Sequence, residues 1–550
     1  MIKKVLNSKT KTITFAALLV AGFSFFSRVL GLVRNNLLGN IFPPAHADVY
    51  LAAFRIPDFV YCILVTGGIT AAFLPVFAKY FQKDSQEAKT LARNVLLIFS
   101  FALSILSFLL FLFAGSLVNL IVPGFSQYQK ELTVYLMRIM FLSPIILGVS
   151  AIFSSVLQYF NLFFAYSIAP VFYNLGIIFG IIFLSPKYGL AGLAYGVVIG
   201  AVMHLLIQVP PAMKYFFVKG SKINLKHSGL LRIFKLMIPR VIGAAGMHIN
   251  MIVITAIAST LSTGAIRTFV FSNDLYGVPL GLIGVSFAAA AFPALSRSFT
   301  DKNHKDFLWN FSHTFSEVLF LAIPLTFVMF LLRAHIVRLL YGTLVIGSGY
   351  FGWADTRLTA ACVGVFSVAI LAGCLIPLLA RTFYASHDTR TPVKIALFSV
   401  VLNVLLALWF VQLLQAHGAF QQITTKVLKL NGIDNIAVIG LPLALSISSI
   451  AQCILLLIFL KRKMQFLSFK FIYSLFVKIL PIALGMSALM YGSLQVGAVL
   501  FDTHTVIGLF WQIILACAVG IISYMGISIL FKLQELKYIV FSIRKQFRKQ

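Results

Sequence analysis

NVLLIFSFALSILSFLLFLFAGSLVNL, residues 94–120, carries no charged side chain. It is long enough to cross a bilayer, since a hydrocarbon core about 30 Å thick needs about 20 mostly apolar helical residues. Carried outward, the same ruler gives roughly fourteen spans. They fall at 12–42, 47–80, 91–121, 132–158, 163–184, 189–213, 236–259, 266–296, 309–333, 359–384, 391–415, 435–460, 472–496 and 506–531. Several exceed the ruler, which implies tilt, kinks or turns outside the bilayer. Composition agrees: of 550 residues, 60% are hydrophobic and 11% charged, with a mean hydropathy of +0.98. A water-soluble chain is about 45–50% apolar and about 25% charged, so one soluble core could not hide this much apolar surface. The expected fold class is an all-α polytopic membrane protein.

The formal charge of +30 would also suit a nucleic-acid binder, but such proteins display their cations on soluble faces. Here the cations fall in short segments between apolar runs. One set of loops takes Lys3, Lys4, Lys9 and Lys11, then Lys83 and Lys89, then six between Lys214 and Lys235. The same set takes Arg297, Lys302 and Lys305, then Arg390 and Lys394, then Lys461, Arg462 and Lys463. The alternate loops hold far fewer, among them Lys130, Lys187, Arg267, Lys426 and Lys429. The positive-inside rule makes the first set cytoplasmic, and an even span count then places both termini there. Nucleic acid is excluded as a partner. The basic tail from Lys532 to Lys549 reads as a solvated stop-transfer segment or a contact with anionic lipid. The first apolar stretch lacks a small-residue cleavage site and reads as a retained helix.

A short pattern recurs. Ser27-Arg28-Val29-Leu30-Gly31 returns as Pro239-Arg240-Val241-Ile242-Gly243, and Ala71-Ala72-Phe73-Leu74-Pro75 is echoed by Ala290-Ala291-Phe292-Pro293. Each copy has a mid-span proline between these landmarks, Pro57 and Pro279. The copies lie six spans apart and so run in the same direction. The expected organisation is two six-helix lobes in parallel repeat plus two C-terminal helices: 1–213, 214–463 with its linker, and 464–550 with the basic tail. Parallel-repeat transporters bind substrate between the lobes. Gly31, Gly39, Pro43 and Pro44 are expected to interrupt or end the first helix. Gly67-Gly68 and Gly277, Gly281 and Gly284 are hinge or close-packing positions.

Charges deep in a span are costly, so they face a cavity or a partner. Arg28, Arg34, Arg55 and Arg240 are the basic candidates, with Asp48, Asp58, Asp274 and Glu317 the acidic ones. Arg55 and Asp58, three apart, can pair within one helix. Two readings remain open. The arginines could line a hydrated cavity and hold a diphosphate, for which the planar, permanently charged guanidinium is suited. They could instead anchor the cytoplasmic side or pair with Asp48 or Asp58. Cys62, Cys362, Cys374, Cys453 and Cys517 all lie in apolar runs and read as packing residues. His248, His313 and His387 stand isolated, with no metal-ligand spacing. No Walker loop, dinucleotide fingerprint or nucleophile elbow occurs in a credible context, so neither an enzyme nor an ATPase is expected.

At the first two helices the pattern becomes specific. SRVLGLVRNNLLGNIF (27–42), ADVYLAAFRIPDFV (47–60) and GGITAAFLPVF (67–77) resemble the MurJ/MviN lipid II flippases of the multidrug/oligosaccharidyl-lipid/polysaccharide exporter superfamily. PLGLIGVSFAAAAFPALSRSF (279–299) and FYASHDTRTPVKIA (383–396) are similar to the same family. The resemblance implies a flippase of the bacterial inner membrane that exports lipid II by alternating access, with no cofactor. Membrane potential or a monovalent cation would drive it, and cell-wall synthesis proteins would be its neighbours. It implies arginines gripping the diphosphate, here Arg28 and Arg34 with Asp48, and a lipid-tail groove at helices thirteen and fourteen. This sequence departs where an acidic residue is usual and Asn35 stands. Tyr61 and Cys62 replace basic residues, and Asn273-Asp274 replaces an Asp-Arg pair. Arg55 and Arg267 are the compensating candidates. Asn250 and Asn403 are polar candidates for sodium. Other readings are a flippase for another polyprenyl-diphosphate glycolipid of capsule or O-antigen type, a multidrug exporter of the superfamily, and a non-transporting scaffold.

Overall fold

The computed structural model describes residues 13–216, 227–342, 349–433, 436–464, 469–503, 505–533 and 535–536. Lys3, Lys4, Lys9, Lys11, Lys219, Lys222, Lys226 and most of the basic tail lie outside them. Every regular element among the described residues is helical. Each of the fourteen expected spans overlaps one helix or one broken helical segment among the described residues. These are α1 (Ile13–Ile41), α2 (44–83), α3 (Ser85–Leu112), α4 (Gln127–Tyr159), α5 (Phe163–Tyr188), α6 (Leu190–Ala212) and α7 (Ser228–Ser259). Then come α8 (Ala265–Thr300), α9 (His304–Gly342), α10 (353–385), α11 (Arg390–Gln415), α12 (Ile436–Lys463), α13 (Phe469–Leu500) and α14 (Val506–Leu530). Ten are long and apolar enough to cross a membrane on their own among the described residues, and α10, bent by 47° between Ser367 and Ile370, makes an eleventh. The chain is a multi-pass membrane protein.

Helix ends follow from local chemistry. Asp84 accepts the amide of Gln86 at 2.8 Å and opens α3, while Ser126 and Gln129 form a reciprocal capping box at α4. Asn303 caps α9 through the amide of Asp306, and Thr505 caps α14 through that of Gly508. Asp388 caps α11, accepting the amides of Arg390 and Thr391 at 3.1 and 3.0 Å. The 383–396 motif is thus a helix start. Contrary to the expected interruption, α1 runs unbroken through Gly31 and stops only before Pro43-Pro44.

α2 is the irregular span. It comprises Pro44–Ala53, Arg55–Val60, a π-helical stretch Tyr61–Ile69, and Thr70–Lys83. α8 repeats the device, with Pro279 followed by π-helix Leu280–Val285. Such stretches carry an extra residue in the turn and concentrate where a helix must bend or present a site.

The chain divides into two compact units, one ending at Arg267 and rejoined near Tyr350, the other starting at Thr268. In the first unit, α5 and α6 touch backbone to backbone: a methyl on Gly196 would come within 2.8 Å of the Gly180 Cα. Asn174 of α5 donates to the Ser27 carbonyl and hydroxyl of α1 at 3.2 and 3.0 Å. α7 packs along the π-helical and C-terminal parts of α2. In the second unit, Leu332 of α9 packs with Met490 and Leu494 of α13 and Ala516 of α14. Tyr524 donates to the Phe320 carbonyl at 2.7 Å, fixing α14 on α9.

Candidate functional site in the first unit

The two arginines of α1 occupy different surroundings. Arg28 is exposed, whereas Arg34 is half-buried. Arg34 donates through Nε and Nη2 to the Asn35 Oδ1 at 3.2 and 3.1 Å. Asn35 is only 1% exposed. A neutral amide here orients the guanidinium as a carboxylate would, without adding a negative charge of its own.

Asp48 fastens the turn before α8. Its Oδ2 accepts the Gly264 amide at 2.6 Å and its Oδ1 accepts the Arg267 amide at 2.8 Å. A carboxylate at a helix N-terminus is favoured by the unpaired amides and the helix dipole. Gly264 makes the approach possible: its φ of +90° suits glycine, and a Cβ there would press within 3.3 Å of the Pro44 side chain. Arg267 is fully buried, and its Nη1 donates to the Gly39 carbonyl at 3.3 Å, at the C-terminal end of α1. Cation at one helix end and anion at the other hold the turn together.

α2 meets α7 in antiparallel register. Arg55 donates through Nε to the Thr255 hydroxyl at 2.8 Å. One turn along, Cys62 Sγ donates to the Asp58 Oδ1 at 3.7 Å, and His248 brings a ring nitrogen within 4.8 Å of both. Thr255 and His248 are seven apart and so share a face of α7. His248, read as isolated, therefore has neighbours in Asp58 and Cys62, and Cys62, read as a packing residue, lies beside Asp58. His313 likewise has a neighbour, Glu317, at 3.4 Å.

A cavity of about 300 Å³ opens beside this cluster, within the first unit. Arg34, Asp58 and Tyr61 line it, together with Ser143, Tyr173 and His204. His204 is oriented by Ser150, whose hydroxyl lies 2.8 Å from Nδ1, and Gln208 bridges Ser150 and Ser154 at 3.1 and 2.6 Å. Sequence reading missed this buried network on α4 and α6. Serines and one histidine in apolar runs give no periodic signal.

The remaining candidates are dispersed. Arg240 is exposed on α7, and Asp274 is half-buried on α8 in the second unit. Asn250 and Asn403 are buried in different units, the first on α7 and the second on α11. Arg34 and Asp58 are brought to the lining of one cavity. Asp48, Arg55 and Arg267 are each engaged in joining helices.

Comparison with known proteins places this architecture. The family profile described as lipid II flippase MurJ matches residues 40–514, so Arg28 and Arg34 precede the matched region. A probable lipid II flippase MurJ of Buchnera aphidicola subsp. Acyrthosiphon pisum is 28% identical over 393 residues, covering 70% of this chain and 76% of the relative. Lipid II flippase MurJ of Burkholderia cenocepacia is 28% identical over 417 residues, covering 73% and 79%. Among solved structures, lipid II flippase MurJ in an inward closed conformation matches with a TM-score of 0.73 and 24% identity, covering 94% of this chain and 99% of that one. An inward-facing multidrug-resistance MATE family transporter of the MOP superfamily matches at 0.65 and 13% identity, covering 80% of this chain and 94% of that one. These two likenesses establish the fold. The profile spans most of the chain, and with it the chain belongs to the MurJ lipid II flippase family.

Proposed function

We propose that this chain translocates lipid II, the undecaprenyl-diphosphate-linked peptidoglycan precursor, from the cytoplasmic to the outer leaflet by alternating access. The observation that carries the reading on this chain is Arg34: half-buried, held by the neutral Asn35, at the wall of a cavity inside a membrane-spanning unit. A cation within a bilayer costs about 2.5–3.5 kcal/mol on insertion scales, and a polyanionic headgroup offsets that cost. The guanidinium fork suits two non-bridging phosphate oxygens. Arg28, exposed six residues earlier, supplies a second cation for entry. The work is transport, not bond-making.

The cytoplasmic membrane of a bacterium is the proposed location, with both termini inside, an orientation that the bias of the loop cations favours. Membrane potential or a monovalent cation is the proposed drive, and enzymes of cell-wall synthesis are the proposed neighbours. The test uses cells depleted of their own lipid II flippase. Supplying this chain should restore growth and surface-accessible lipid II, and Arg34→Ala should not. Failure of the unaltered chain, with membrane insertion confirmed, would sink the lipid II assignment and favour another polyprenyl-diphosphate glycolipid.

A further inference from the structure

We propose that Asp58, Cys62 and His248 form a binding site for a zinc-class divalent metal ion that ties α2 to α7. The three present a carboxylate oxygen, a thiol sulfur and an imidazole nitrogen whose atoms all lie within 4.8 Å of one another. Asp58 and Cys62 are spaced four apart across the junction of Arg55–Val60 with the π-helical stretch, close to the interval that puts two side chains on one face of successive turns. Their Sγ–Oδ1 distance is 3.7 Å. Ligands around a tetrahedral zinc ion stand roughly 3.3–3.6 Å apart, given bonds of about 2.3 Å to sulfur and about 2.0–2.1 Å to nitrogen or oxygen. Closure onto an ion therefore shortens the widest gap by up to about 1.5 Å, shared between two side chains.

The donor set selects the metal. A thiolate is a poor ligand for sodium, potassium, magnesium or calcium, which take oxygen donors. Sulfur, nitrogen and one carboxylate oxygen together suit zinc, and cobalt(II) can occupy the same geometry. On binding, Cys62 gives up its thiol proton to solvent and the sulfur lone pair forms the bond to the metal; no oxidation is involved.

Two neighbouring features support a built site. Arg55, three residues before Asp58, is turned to the Thr255 hydroxyl of α7 at 2.8 Å, which fixes the α2–α7 register that brings His248 opposite Cys62. Cys62 also lies at the start of the π-helical stretch Tyr61–Ile69, an irregularity that re-aims side chains. Three protein ligands leave a fourth position, and Asp58 itself lines the 300 Å³ cavity. A metal there, its two charges offset by the Asp58 carboxylate and the Cys62 thiolate, would neutralise the acidic part of the lining that Asp58 shares with Arg34. The site stands whichever substrate the cavity takes.

The experiment uses the full chain in nanodiscs, carrying an affinity tag free of histidine and cysteine and stripped of metal by a chelator. Titration with Co²⁺ should give one ion per chain, with the near-ultraviolet absorption of a thiolate-to-cobalt bond, and Zn²⁺ should displace it. Cys62→Ser should abolish that band, and His248→Gln and Asp58→Asn should each weaken Co²⁺ binding by about tenfold or more. Cys453→Ser, on α12, should change neither. Absence of saturable Co²⁺ uptake by the unaltered chain would overturn the proposal without involving any variant. So would a band that survives Cys62→Ser, or binding left within about twofold by His248→Gln.

Discussion

α2 and α8 are the same device put to two uses. Each has a proline, Pro57 or Pro279, then a π-helical stretch, then an alanine-rich turn ending in a second proline, Pro75 or Pro293. In α8 the break serves packing. A methyl on Gly284 would come within 2.8 Å of the Cys374 backbone, and one on Gly373 of α10 within 2.6 Å of the Tyr276 hydroxyl. In α2 the break lies among Arg55, Asp58 and Cys62, beside a cavity. A helical irregularity is thus a geometric opportunity, and the side chains around it decide whether it becomes a joint or a site.

If that contrast holds, substitutions around the two breaks should part into losses of stability and losses of binding. The largest effect should come from Asp48→Ala, at the seam between the start of α2 and the turn before α8. Removing a buried carboxylate that accepts two amides next to a buried arginine should cost about 3–5 kcal/mol, read as a lowered unfolding midpoint in detergent. Gly284→Ala should follow, at about 1–3 kcal/mol from overpacking against α10, with substrate affinity in the surviving folded fraction unchanged. Arg34→Ala should do the reverse: an unfolding midpoint close to that of the unaltered chain, and about tenfold weaker binding of a polyprenyl diphosphate, about 1.4 kcal/mol. A large stability loss in Arg34→Ala would erase the contrast.

The smallest effect belongs to the α11 cap, outside the membrane. Partial burial raises the Asp388 carboxyl, but the Thr391 amide and hydroxyl and the Lys463 ammonium at 3.1 Å outweigh it and hold the pKa at about 2. A depressed carboxylate stabilises the fold above its unfolded value near 4 and loses that contribution as pH falls toward 2. Solvent screening keeps the contribution below about 1 kcal/mol. Asp388→Asn should therefore narrow its gap from the unaltered chain between pH 4.5 and pH 2, roughly the interval that the two pKa values bracket.

The fold was largely legible because lipid is an unforgiving solvent. A run such as residues 94–120 has no other stable use, and Pro43-Pro44 mark the end of the first helix by chemistry confined to two residues. Pro57 and Pro279 announced irregular spans, although only the folded structure reveals that the extra residue is absorbed as π-helix. The site was legible in part. Arg34 stood out because a charge in a span demands explanation, and its partner Asn35 is adjacent. Cys62 and His248 did not, because their meeting depends on the register of two helices far apart in the chain. Arg267 offered itself as a substrate ligand by type alone; its burial against Gly39 came from the turn at Gly264, which composition does not encode.

The backbone contact between α5 and α6 carries a mechanical consequence. Helices that meet through side chains can slip by one rotamer after another, but Gly180 facing Gly196 leaves nothing to yield. That pair will turn as a single lever, its stiffness built from missing atoms, while bending during the transport cycle is left to joints elsewhere.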